Sequence, residues 1–421
     1  MKTRQNSTRW LGLALACGTL TFAVSSQAAK PPKPPPTPAG PAYRIVSVGS
    51  AWDPLGSFGA TAVNNVGWVC GHGAAGGRLS FVVVPESSAD GPVYFRDTSP
   101  ADGINDLLQE LPGLWSESNY SGVSDINDSG LAAGTSLVES GWYRATLWVD
   151  NTPVDLGNVG GEETYAFDIN NSGLVVTGPD ADFASLGLGL DALSCVIVPR
   201  DNDGDGVLDT WFEDLNGDGT NDLLKIIVPT SGREYFAPQA INNAGQVILK
   251  CVYGPQRLVT PDFLDTDGDG NPWYADANGD GVNDLMVALI GLGGAGAYVT
   301  DINSAGQVVG ASNGRAVRWD FAADGTQTIT DLGLLSSKVQ SMSAAAINDA
   351  GQIVGGVSYR NSGSSFLFQN GKLYDLAALL VNGAGWTGLS ASDINNQGII
   401  VGTGYVDRLR HGFVAIPVAQ P

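Results

Sequence analysis

The stretch DINSAGQVVGASNGRAVRWDFAADGTQTITDLG, residues 301–333, decides the fold. Asp301-Ile302-Asn303 closes one strand. Ser304-Ala305-Gly306 then reverses the chain, because a tight hairpin needs a positive φ that Asn tolerates and Gly prefers. Gln307-Val308-Val309 reads as the second strand, Arg315 to Trp319, alternating and rich in branched or aromatic residues, as the third, and Gln327 to Leu332 as the fourth. One such sheet cannot cover both its faces alone, so the unit needs neighbours.

The same turn recurs seven times: AVNNVG at Ala62, DINDSG at Asp125, DINNSG at Asp168, AINNAG at Ala240, DINSAG at Asp301, AINDAG at Ala346 and DINNQG at Asp393. From the first Asn of one to the next the spacings are 63, 43, 72, 61, 45 and 47 residues, a basal period near 45 lengthened three times by insertion. A four-stranded repeat of about 40 to 50 residues is the period of a propeller blade. The sequence therefore predicts an all-β, seven-bladed β-propeller over residues 43–421. Tyr43 to Gly49, YRIVSVG, matches a fourth strand yet precedes the first turn, while the last unit reaches Pro421 without one. The N-terminal strand is expected to complete the last blade and close the ring, which removes exposed sheet edges.

The third strand also recurs, as RATLW from Arg144, RAVRW from Arg315, SSFLF from Ser364 and HGFVA from His411. Its alternating apolar residues should pack between blades, and Trp148, Trp319 and Phe368 read as core. The combination of DINNxGxVVG, this strand and a closing DLG resembles the HAF family of extracellular repeats found in exported bacterial proteins, over about residues 43–421. The resemblance implies export and a repeat fold, and no reaction. The family's histidine survives only as His411, with Arg144, Arg315 and Ser364 in its place elsewhere.

Ahead of the repeats, Lys2, Arg4 and Arg9, an apolar run from Trp10 to Val24 and Ser26-Gln27-Ala28 have the order of a secretory signal peptide, residues 1–28. Residues 29–42 follow, with KPPKPPPTPAGPA from Lys30, an extended spacer because Pro lacks the backbone donor. No later apolar stretch is long enough to span a bilayer. The expectation is a secreted or cell-surface protein, extracellular or periplasmic. The net charge of −22 disfavours nucleic acid as a partner, for want of a basic patch to displace counterions. Cys70, Cys195 and Cys251, an odd number on separate repeats, read as small buried hydrophobes.

Much of the acid sits in insertions at about 85–110, 199–229 and 261–288, each expected between the third and fourth strands of its blade. Closely spaced carboxylates around a Gly turn supply the hard oxygens that calcium takes at about 2.3 to 2.6 Å, and the ion offsets their repulsion. Asp201, Asp203, Asp205 and Asp209 occupy the first, third, fifth and ninth positions of one loop, with the Val207 carbonyl at the seventh. Asp214, Asn216, Asp218, Thr220 and Asp222 repeat the pattern, as do Asp276, Asn278, Asp280, Val282 and Asp284. Asp265, Asp267 and Asp269 begin it, but Trp273 stands at the ninth place, so that loop needs a ligand from elsewhere. The first insertion keeps only Asp102 and Asp106 and reads as an eroded copy without an ion. Phe212, Lys225 and Val287 at the twelfth positions exclude EF-hands. DLNGDGTNDLL resembles the calcium loops of FG-GAP repeats in integrin-type propellers, which implies ligand roles for these positions. The plainer alternative is an Asx turn without an ion.

Signals for catalysis are poor. Gly310-Ala311-Ser312-Asn313-Gly314 spells GxSxG, but between two strands rather than at a strand-to-helix elbow, and the only histidines are His72, read as a turn residue, and His411. The Asp before Ile at 125, 168, 301 and 393 would gather at the axis, and bonding to the following turn backbone is the favoured reading of it. Asn119, Asn127 and Asn170 lie in glycosylation sequons, two of them products of the repeat itself. The sequence thus points to an exported calcium-binding propeller serving as a non-catalytic scaffold for an extracellular ligand, polysaccharide or protein. The alternative is a polysaccharide hydrolase or lyase using the axial carboxylates. An axis plugged by Ala344-Ala345-Ala346 would favour the scaffold.

Overall fold

A computed structural model describes residues 40–49, 58–74, 78–98, 105–118, 120–157, 163–179, 193–228, 236–251 and 254–418. The expected signal peptide, most of the Pro-rich spacer, Asp102 and Asn119 lie outside them. The strands form seven four-stranded antiparallel sheets, the expected seven-bladed β-propeller. Blade 5 is the stretch quoted first: Ala297–Ile302, Val308–Ser312, Arg315–Phe321 and Gln327–Asp331, from axis to rim. Blades 1, 2, 3, 4 and 6 begin at Gly59, Ser121, Tyr165, Phe236 and Ser341 and run in the same order. Blade 7 comprises Thr387–Ile394, Ile400–Val406, Leu409–Val418 and, as its fourth strand, Ala42–Gly49, with Ala42 opposite Val418.

Every innermost strand is bulged at one place. The register slips between Ala60 and Ala62, Val123 and Asp125, Ala166 and Asp168, Pro238 and Ala240, Val299 and Asp301, Ala344 and Ala346, and Ala391 and Asp393. A bulge re-aims the residue after it, here the Asp or Ala that opens each turn motif. On the facing strand, the Gly that ends VVG has no room for a side chain. A Cβ would stand 1.9 Å from the Tyr298 carbonyl oxygen at Gly310, and 2.1 Å from those of Ser343 and Ser390 at Gly355 and Gly402. Thr177 and Leu249 take the same register in blades 3 and 4.

The core is divided into seven apolar clusters, one at each blade interface. One joins Val48, Val401 and Val414 of blade 7 to Phe58, Val69 and Phe81 of blade 1. Burying a side chain of this kind contributes about 1.5–3 kcal/mol, so blades hold one another rather than themselves. Trp148 and Trp319 are buried as expected and donate to the Pro112 and Ile290 carbonyls of the segments leaving the preceding blade, at 2.7 and 2.9 Å. Phe368 is half-buried. Cys70, Cys195 and Cys251 are buried and free. His72, expected in a turn, lies within the strand Val69–Ala74, because the GHG segment continues the ladder opposite Ser80. Among the described residues no helix is long and apolar enough to cross a membrane.

Candidate metal centres and the axial cavity

The three insertions leave the third strand of blades 1, 3 and 4 and return as the fourth, at 84–107, 198–223 and 260–285. All three are anchored alike. An aromatic side chain donates to the carbonyl of the turn glycine of its own blade: Tyr94 to Gly67 at 2.9 Å, Trp211 to Gly173 at 3.0 Å and Trp273 to Gly245 at 2.8 Å. A buried Asn donates to the preceding blade: Asn105 to the Val48 carbonyl, Asn221 to Leu156 and Asn283 to Ile227, at 2.9, 3.1 and 2.8 Å. Sequence reasoning missed these anchors. Their signal is the triplet Asn-Asp-Leu at 105, 221 and 283 with an aromatic residue ten or eleven positions before it. The first insertion, poor in acid, keeps the whole frame, so the frame does not depend on the carboxylates.

Within the acidic loops one wiring recurs. The carboxylate at the first position accepts from the backbone N–H of the sixth: Asp201 from Gly206 at 2.8 Å, Asp214 from Gly219 at 2.9 Å, Asp265 from Gly270 at 3.1 Å and Asp276 from Gly281 at 2.9 Å. The ninth accepts from the second: Asp209 from Asn202, Asp222 from Leu215 and Asp284 from Ala277, at 2.7, 2.7 and 2.9 Å. The fifth, Asp205, Asp218, Asp269 or Asp280, accepts from the seventh at 2.8, 2.8, 2.7 and 2.9 Å. Candidate ligand atoms of Asp201, Asp203 and Asp209 lie within 4.8 Å of one another, as do those of Asp265, Asp267 and Asp269. Trp273 takes the ninth place in its loop because it is the buried anchor, arriving two residues earlier than Trp211 does in the blade 3 insertion. The Gly206 amide above all holds the Asp201 carboxyl below its usual range, and the Thr220 amide and hydroxyl do the same for Asp218. These groups stay charged at neutral pH. Asn216 and Asn278 accept from Asp218 and Asp280 amides at 2.8 Å, while Val207 and Val282 stand exposed.

Around the axis the seven turn motifs form a closed ring of side-chain bonds. The first Asn of each, buried, donates Nδ2 to the carbonyl of its counterpart in the next blade: Asn64 to Asn127, then Asn170, Asn242, Asn303, Asn348, Asn395 and back to Asn64, at 2.8–3.1 Å. Its Oδ1 holds its own turn, as where Asn303 accepts from Ala305 and Gln307. The role read from sequence was tolerance of positive φ, but that angle falls on the Gly, at +74° for Gly306. The Asn is there for its amide.

Inside this ring Asp125, Asp168, Asp301 and Asp393 line a cavity of about 160 Å³. Ala344-Ala345-Ala346 does not plug it, since Ala344 and Ala346 are packed into inter-blade clusters. Three of the carboxylates bridge two blades. Oδ1 accepts from the following Ile of its own strand, for Asp168, Asp301 and Asp393 at 2.8, 2.7 and 2.6 Å. Oδ2 accepts from the next blade, from Ile241, Ile347 and Val63 at 2.7, 2.7 and 2.8 Å. The expected bond to the following backbone is present, and the link to the neighbour is an addition to it. Burial pushes Asp301 up to about 6 and Asp393 up to about 8, the latter helped by Asp301 and Asp125. Burial, with Asp125 hydrogen-bonded to it, raises Asp168 well above the ordinary carboxyl value.

His411 lies at 3.0 Å from the Ser47 hydroxyl, its basicity lowered by burial against the opposing effect of Asp407. No family model matches the chain, and no curated protein matches it. Among solved structures it is similar to virginiamycin B lyase from Staphylococcus aureus, at 10% identity over 89% of this chain and 100% of that one, with a TM-score of 0.42. It is also similar to Trypanosoma rangeli sialidase, at 10% identity over 89% and 54% with a TM-score of 0.32, and to a glucose dehydrogenase, at 9% over 89% and 99% with a TM-score of 0.33.

Proposed function

We propose that the chain is an exported, calcium-binding β-propeller of the HAF repeat type, acting as a non-catalytic binding or surface scaffold. The observation that carries calcium is the wiring common to four loops. Backbone amides fix the carboxylates at the first and fifth positions in all four and at the ninth in three, and in two loops candidate ligand oxygens, hard and charged, lie within 4.8 Å of one another. In this reading Asp201, Asp203, Asp205, Asp209 and the Val207 carbonyl hold one ion. Asp214, Asn216, Asp218, Asp222 and the Thr220 carbonyl hold a second, and Asp276, Asn278, Asp280, Asp284 and the Val282 carbonyl a third. Asp265, Asp267 and Asp269 hold a fourth with help from outside the loop. The ion neutralises the loop and stiffens the hairpin. The scaffold reading is supported by three of the four axial carboxylates, whose oxygens are engaged by backbone amides of two blades.

A second reading, acid–base chemistry on a polysaccharide, has one observation in its favour: Asp168 lines the axial cavity beside Asp125, and burial, with that neighbouring charge, raises its carboxyl well above the ordinary value. Calorimetric titration with calcium tests the first reading, with heat of binding expected for the whole chain and its loss for Asp205→Ala with Asp218→Ala confined to one insertion. Polysaccharide cleavage abolished by Asp168→Asn would replace the scaffold by the enzyme.

A further inference from the structure

We propose that the cleft where blades 5, 6 and 7 meet, at the sheet ends remote from the Asn ring, binds a neutral sugar unit of a glycan. The inference deepens the scaffold reading and rests on the chain being a binding protein, but uses no residue of the calcium loops. The cleft measures about 620 Å³, within the roughly 300–1,000 Å³ of small-ligand sites. Its floor is apolar, from the buried side chains of Met342, Val357 and Leu389. Its walls carry hydroxyls, and among the described residues those of Ser341, Ser358 and Ser390 have no hydrogen-bond partner. Tyr405, 45% exposed, stands at the edge with its ring against Gly388.

Among the described residues no Asp, Glu, Lys, Arg or His lines the cleft, although the chain carries a net charge of −22. A charged ligand would lose hydration there and gain no counter-charge, so the occupant is neutral. It must also present an apolar face beside several hydroxyls, since an aromatic ring and unpaired serines line one space. A pyranose does both: its C–H face covers a tyrosine ring while its rim exchanges hydrogen bonds with hydroxyls. The Leu389 carbonyl already accepts from the Ser365 hydroxyl at 2.9 Å, but the backbone adds polar groups at Gly388, because pairing of the first two strands of blade 7 skips from Thr387 opposite Tyr405 to Ser390 opposite Thr403. Gly388 and Leu389 between them are outside the ladder.

Gly356 gives a clean test, because a Cβ built on it meets nothing within 4 Å. Gly356→Trp therefore starts its side chain in open space on the lining of the cleft, and Tyr405→Ala removes the ring from a partly exposed site. The full chain is titrated calorimetrically with the hexasaccharides of β-1,4-glucose, α-1,4-glucose, β-1,4-xylose and β-1,4-mannose, and with oligogalacturonate as the charged counterpart. Binding of at least one neutral hexasaccharide at about 1 mM or tighter is expected. Tyr405→Ala should weaken it about tenfold and Gly356→Trp abolish it, both variants melting with the wild type. No binding by any neutral hexasaccharide, equal binding of oligogalacturonate, or unchanged binding in Gly356→Trp overturns the proposal. The titrations are repeated in EDTA. Sugar binding without a calcium signal removes the calcium reading alone, and a calcium signal without sugar binding removes this inference alone.

Discussion

Asn395 donates its side-chain amide to the backbone carbonyl of Asn64, 2.8 Å away and 331 residues earlier in the chain. Its Oδ1 meanwhile accepts from the amides of Gln397 and Ile399, at 3.0 and 2.9 Å. One buried side chain thus joins the last blade to the first and shapes its own turn. Asn395→Ala should destabilise the fold by about 2–4 kcal/mol, because it leaves buried donors and an acceptor unmatched. Asn396→Ala, at the exposed next position, whose side chain accepts from the Asp349 backbone amide at 2.8 Å and donates to the Asp349 carboxylate at 2.7 Å, should cost less than about 1 kcal/mol. Urea unfolding at neutral pH measures both, and equal effects would show that the inner ring has no special weight.

Gly310 faces the bulged strand of its own blade, with the Tyr298 carbonyl oxygen 1.9 Å from where a Cβ would stand. Backbone cannot step aside as a flexible side chain does. Gly310→Ala is therefore expected to cost about 2–3 kcal/mol, against a slight gain for alanine at an ordinary strand glycine. A thermal melt of Gly310→Ala beside Gly356→Ala, where the added methyl meets open space, separates the two cases.

How far the sequence could be read follows from which contacts are local. The DIN turn, the VVG strand and the RAVRW strand are each set by neighbouring residues, so blade 5 emerged from residues 301–333 nearly strand by strand. The acidic loops were legible for the same reason, since their frame is counted along the chain. What stayed hidden spans blades. Asn127 reaches the carbonyl of Asn170, Asp301 reaches the Ile347 amide and Asn221 reaches Leu156. Each was visible as a repeated letter, but the partner lies 43 to 65 residues away and only the ring geometry supplies it. Trp211 and Trp273 are likewise anchors only through indole N–H groups placed on turn glycines 38 and 28 residues earlier.

The axial carboxylates should make the protein less stable as pH rises. Asp393 titrates at about 8 in the fold against about 3.9 unfolded, so the folded chain holds the proton more tightly. That stabilisation is complete below about pH 4 and is lost as pH rises through about 8. Asp301 adds a smaller contribution lost through about 6. Burial sets both shifts first; Asp301 and Asp125 add to that of Asp393, and Asp125 and Asp349 to that of Asp301. Melting temperature, measured in EDTA to silence the loops, is expected to fall from pH 5 to pH 9. Asp393→Asn should flatten the fall between pH 6 and 8, while lowering stability at pH 5 by about 1 kcal/mol because an amide nitrogen cannot accept from Val63 or Ile394. A rising or level wild-type curve would contradict protonated acids at the axis.

The loop carboxylates act in the opposite sense, and calcium should separate them from the axis. They are exposed and mutually repelling, and hydrogen bonds hold Asp201 and Asp218 below the usual range. The stabilisation from those bonds is present above the unfolded value and lost as pH falls through the folded one. An ion bound to such a site at tenfold excess over its dissociation constant contributes roughly 1.4 kcal/mol, and extracellular sites of this kind bind at about 0.1–1 mM. Millimolar calcium should therefore raise the melting temperature and EDTA reverse the gain, with sodium chloride at matched ionic strength doing neither. Asp205→Ala with Asp218→Ala should remove the share of the blade 3 insertion and leave that of Asp276, Asp280 and Asp284 intact. Hydrogen exchange locates the effect: calcium should slow exchange across 201–222 and 265–284, and leave 86–98, which has the same anchors without the acidic frame, unchanged. Slowing of all three segments alike would mean that salt tightens the ring as a whole, and equal melts in calcium and EDTA would mean that the carboxylates hold no ion.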